Sequence, residues 1–143
     1  MSCGCEMSDH LMCTNVGDLR LREKGFLVII GSCMKTRHPE IVDDFKQRNG
    51  GQIALYVCLE ETHANKAGFK IGSMVKHSGI KKLTALTVDG SPHCVQLHFL
   101  VDDVKRHFVP DVETLHYVVE KDRIVEVSSE EVKLARHLSK IGA

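Results

Sequence analysis

Tryptophan is absent from the 143 residues, and aromatic side chains make up only 5% of them. That scarcity leaves no interleaved set of rings on which nucleic-acid bases could stack. Charge of one sign is also lacking: Lys+Arg and Asp+Glu both total 19, a formal net charge of zero. Polyanions reward a basic face, so there is no electrostatic case for a nucleic acid or an anionic membrane as partner. Apolar runs such as Phe26–Ile30 and Ile53–Leu59 fall far short of the ~20 residues that a membrane-crossing helix needs. The opening Met1-Ser2-Cys3-Gly4-Cys5-Glu6 has no basic region followed by an apolar stretch, so no secretory signal and a cytoplasmic location are expected. The GxGxxG, P-loop, CxxC and HExxH patterns are missing too, which removes the usual dinucleotide, nucleotide, thioredoxin-like and zincin readings.

Sulfur and imidazole are plentiful, with six Cys and nine His. In a reducing cytosol such cysteines are expected to be thiols, metal ligands or catalytic groups rather than a disulfide framework. The length fits one domain with a continuous core.

Residues 1–24 show no sustained period and read as a Cys-containing irregular leader, with a single α/β domain over 25–143. Phe26–Ile30 is continuously apolar and ends at Gly31, as expected of a strand buried on both faces. Pro39 suits the first turn of a helix whose apolar stripe is Ile41, Val42 and Phe45, and Asn49-Gly50-Gly51 stops it. Ile53–Leu59 repeats the strand pattern. A helix follows it, capped near Thr62 and stopped at Gly79, with Gly68 and Gly72 spaced for close backbone approach. Leu83–Val88 is the third strand, Asp89-Gly90 the turn, Ser91 an N-cap and Pro92 the first helical residue. Leu115–Val119 and Arg123–Val127 flank a turn at Lys121-Asp122 and read as a hairpin, with a last helix starting at Ser128 or Ser129. Strands separated by helical crossovers predict a three-layer Rossmann-like open sheet. Its parallel β-α-β-α-β-α core is followed by an antiparallel hairpin and a C-terminal helix.

Ligands of open parallel sheets bind beyond the C-terminal strand ends. Each of the three strands ends at or near a cysteine: Cys33, Cys58 and the His93-Cys94 pair. Strand pairing at ~4.8 Å spacing should bring those ends together. Cys94 falls in a first helical turn, where free N–H groups and the helix dipole favour a thiolate that reacts or binds metal. His98, four residues on, shares its face. His38 and His63 read as solvated loop or cap residues, Glu60-Glu61 as a solvated face. His77, His107, His116 and His137 read as surface histidines away from the strand ends. The leader adds Cys3, Cys5, His10 and Cys13, a set of soft and borderline donors for a separate or accessory metal site.

The βα repeats, with a Cys opening a helix near the sheet edge, resemble small sulfur-relay proteins of the DsrE type. That resemblance implies sulfur transfer through a cysteine persulfide, with a redox or sulfur-transfer protein as partner. The residues themselves support two chemistries. In one, Cys33, Cys58 and Cys94 bind an iron–sulfur cluster, or alternatively zinc, with His93, His98 or a leader Cys as further ligand. In the other, Cys94 is the nucleophile, His93 or His98 the acid/base and Cys33 the resolving thiol. A non-catalytic regulatory or accessory subunit, with the cysteines as packing residues, is the bland alternative.

Overall fold

The structure, a computed structural model, describes residues 9–142. Five strands form one sheet in the order β2-β1-β3-β4-β5: β1 Phe26–Gly31, β2 Ile53–Val57, β3 Lys82–Val88, β4 Glu113–Glu120 and β5 Arg123–Val127. β1 pairs in parallel with β2 and β3, β3 pairs in parallel with β4, and β5 closes the edge antiparallel to β4. The hairpin therefore does more than add an antiparallel edge, because its first strand extends the parallel sheet. His116 lies beside Ala85 in that register, which puts it in the middle of the sheet rather than at a solvated turn.

The helices follow from local chemistry. After β1 come the short α2, Met34–Arg37, and α3, Pro39–Gln47, which has Pro39 in its first turn and buries Val42 and Phe45. The α4 helix, Ala64–Ser78, is capped beside Thr62 by the neighbouring His63 ring, whose Nδ1 accepts the Asn65 N–H at 3.3 Å. The α5 helix, Pro92–His107, starts as its sequence predicts, with the Ser91 hydroxyl accepting the Cys94 N–H at 3.5 Å. Strand faces alternate, as the two-residue period of a strand demands. Leu27, Ile29, Leu55, Leu83 and Ala85 pack under α4 and α5, and Val28, Ile30, Ala54, Leu86 and Val88 pack with Met34, Val42 and Phe45 on the other face. The result is three layers. Gly68 and Gly72 let α5 come close to α4: a Cβ would meet Leu100 Cδ1 at 2.7 Å and Phe108 Cδ2 at 2.5 Å.

The leader differs from expectation over its described part. Leu11–Cys13 is a 3-10 turn, and α1, Leu19–Lys24, is a helix capped by Asp18. Leu11 and Leu21 are wholly buried in the α4–α5 core. Each element is too short to display a helical period and contributes a single anchor, so periodicity alone does not reveal it. The chain end also divides. α6, Ser129–Leu134, has a full capping box between Ser128 and Glu131, and α7, Leu138–Ile141, follows separately. Val132 is buried there, whereas Leu134 and Leu138 are exposed.

Candidate functional site

Strand order reverses between β1 and β3, because the β1-to-β2 connection leaves β1 on one side and β3 returns on the other. A crevice outside the strand ends is the physical consequence. A cavity of about 220 Å³ lies there, lined by Gly31, Ser32, Cys33 and Arg37 after β1, Cys58 and Glu60 after β2, and Ser91, His93 and Cys94 after β3.

Each cysteine is placed by its strand end. Cys33 sits at the start of α2, half-buried. Cys58 follows β2 in a turn where its carbonyl accepts the Glu61 and Thr62 N–H groups at 3.0 and 2.8 Å. Cys94 is the most enclosed, 8% exposed, in the first turn of α5. All three are free thiols. Cys33 and Cys94 line the same cavity wall. Burial pushes the Cys33 thiol up, the neighbouring Cys94 adds to this by charge and hydrogen bonding, and Arg37 opposes it. Low dielectric and a second sulfur disfavour a thiolate; a guanidinium favours one.

His93 stands at the mouth, with Nδ1 4.0 Å from Glu60 Oε2 and both side chains well exposed. At that distance the pair is a loose surface contact. His98 does not line the cavity. It is 5% exposed and lies between α5 and the sheet, with Nε2 2.8 Å from Thr87 Oγ1 and Nδ1 2.9 Å from His116 Nδ1. His116, expected on the surface, is 1% exposed, and its Nε2 lies 2.8 Å from Asp102 Oδ1. The reason is topological: β4 is flanked by β3 and β5, so its alternate residues face α5. The local sequence gives no signal for this, because Leu115, Tyr117 and Val119 make the apolar face of β4 and His116 lies on the other. His77, His107 and His137 are exposed, as expected.

In the leader, Cys13 is disulfide-bonded, unlike the free thiolate ligand expected of it. His10 caps the 3-10 turn, its Nδ1 accepting the Met12 N–H at 3.1 Å. Cys3 and Cys5 lie outside the described residues. Among the described residues no three His, Cys, Asp or Glu side chains are grouped so as to hold one metal ion, and no helix is long and apolar enough to cross a membrane.

A family model described as a Rossmann-like domain matches residues 20–141. No curated protein and no solved structure matches the chain.

Proposed function

We propose, for a chain that belongs to the Rossmann-like domain family, that Cys33 and Cys94 form a reactive dithiol that exchanges two electrons with a disulfide-bearing partner. The observation that carries this reading is that both thiols line one strand-end cavity, where the charge and hydrogen bonding of Cys94 help push the Cys33 thiol up. With a small-molecule disulfide as oxidant, the sulfur of Cys94, as thiolate, attacks one sulfur of the reagent and expels the first reagent thiolate. The Cys33 sulfur then attacks the mixed disulfide at Cys94 and expels the second. The protein loses two thiol protons and two electrons, and the reagent disulfide becomes two thiols. The half-buried Cys58, on the wall of the same cavity, is placed to take part as a further thiol.

The test is oxidation of the full chain by glutathione disulfide, followed by peptide mass mapping. A Cys33–Cys94 linkage formed ahead of any involving Cys58 supports the reading, and its absence refutes it.

A metal-binding reading, iron–sulfur or zinc, has one observation in its favour: Cys33, Cys58 and Cys94 line a single cavity, with His93 at its edge. It requires the three sulfurs to draw closer than they lie here, or a donor from the leader. Anaerobic purification with iron, zinc and acid-labile sulfide assays decides between the two. Stoichiometric metal lost on Cys33→Ser and Cys94→Ser substitution would replace the dithiol reading. Metal-free protein would leave the metal reading without support.

A further inference from the structure

A buried polar chain crosses the interface between α5 and the sheet, below the thiol cavity. Its links are Thr87 Oγ1 to His98 Nε2 at 2.8 Å, His98 Nδ1 to His116 Nδ1 at 2.9 Å, and His116 Nε2 to Asp102 Oδ1 at 2.8 Å. With Asp102 ionised and both rings neutral, one proton arrangement satisfies every link. His116 donates from Nε2 to the carboxylate, His98 donates from Nδ1 to His116, and the Thr87 hydroxyl donates to His98 Nε2. Burial pushes the His98 ring down to about 3, which keeps it neutral in ordinary buffers. The Ser129 hydroxyl also donates to Asp102, at 3.4 Å, where the chain reaches the surface.

Packing alone does not call for this arrangement, since apolar side chains of similar volume commonly serve a core as well as buried polar ones do. The chain has directional character that apolar contacts lack. Cys94, His98 and Asp102 recur every four residues along one stripe of α5. His98 is tied to Thr87 on β3 and to His116 on β4, and Asp102 is tied to His116, so α5 is held at two heights below Cys94. The upper end of the chain adjoins the site: a Cβ added to Gly31 would lie 3.5 Å from Cys94 Sγ and 3.6 Å from Thr87 Cγ2.

We infer that Thr87, His98, His116 and Asp102 are positioning residues for the thiol pair, fixing the rotation and height of α5 so that the Cys94 sulfur faces Cys33. The inference rests on the dithiol reading. Hydrogen bonds set a helix angle more sharply than apolar packing does, and small changes of angle at His98 are carried along the rigid helix to Cys94.

The experiment measures the dithiol–disulfide equilibrium of the full chain in glutathione buffers, by acid quench, alkylation and mass, alongside the melting temperature. His116→Leu removes both ring contacts, whereas His116→Gln keeps a donor and an acceptor. The equilibrium constant should shift roughly three- to tenfold in His116→Leu and return to within about twofold of the parent in His116→Gln. Thr87→Val, which removes only the hydroxyl, should shift it in the same direction and stands in if His116→Leu does not fold. An unchanged equilibrium constant in folded Thr87→Val or His116→Leu protein, whatever the loss in melting temperature, would reduce the chain to a structural role and overturn the inference. A parent protein that forms no Cys33–Cys94 disulfide would overturn the dithiol reading itself, and the inference with it, before any variant is compared.

Discussion

Acidification should destabilise the domain through His98 in particular, and the size of the effect follows from its surroundings. Burial pushes this ring from its ordinary 6.5 down to about 3, the neighbouring His116 acts in the same direction, and Asp102 opposes them. A group with a depressed folded-state pKa contributes its stability above the unfolded value and loses it as pH falls. Below 6.5 the unfolded chain takes up a proton that the folded ring refuses, and the loss continues until about 3, where the folded ring also protonates. One such proton is worth about 1.4 kcal/mol per pH unit, so lowering the pH from about 7.5 to about 5.0 should remove about 2 kcal/mol through His98 alone. Against a typical total of about 5–15 kcal/mol this is a readily measured fraction. Urea denaturation followed by circular dichroism at both pH values is the assay. The comparison is His98→Gln, whose amide can donate to His116 and accept from Thr87 but does not titrate. The parent should lose about 2 kcal/mol more than the variant over this interval, the other histidines being common to both. Equal losses in the two proteins would refute the assignment of His98 as a buried neutral ring.

Three further outcomes are expected. Gly72→Ala drives a methyl to within 2.5 Å of the Phe108 ring, so it should destabilise by about 1–3 kcal/mol in equilibrium unfolding, and Phe108→Leu should recover part of that. Leu21→Ala should cost about 2–5 kcal/mol by the same measurement, because Leu21 is wholly buried in the core; a change below about 0.5 kcal/mol would return residues 19–24 to the status of a detached leader. Arg37 holds the Cys33 thiol down against burial, so Arg37→Ala should slow iodoacetamide labelling of Cys33 at neutral pH, as read by peptide mass, and an unchanged rate would remove Arg37 from the site.

Much of the fold is legible in the chain because the signals are local. Phe26–Ile30, Ile53–Leu59 and Leu83–Val88 are largely apolar in the way that strands covered on both faces must be, and each overlaps an observed strand, the second ending at Val57 with Cys58 and Leu59 already in the turn. Ser91-Pro92 starts α5 by chemistry that needs no tertiary partner, since the hydroxyl reaches a free N–H of the first turn and proline lacks one. With parallel strands and right-handed crossovers, Cys33, Cys58 and Cys94 had to finish on one side of the sheet, and the cavity they line is where that reasoning places it. Tertiary structure decided the rest. Whether β4 joins β3 or stands apart as a hairpin depends on pairing between segments distant in sequence, and that pairing is what buries His116 and aims it at His98. Leu11 and Leu21 enter the core because α4 leaves room for them, which no period within so short a segment could announce. The site itself divides in the same way. Sequence order brings three cysteines to one edge, but the rotation of α5 and the path of α2 set which sulfurs meet. That rotation is fixed by packing and by the Thr87–His98–His116–Asp102 chain, whose contacts span three separate elements of the fold.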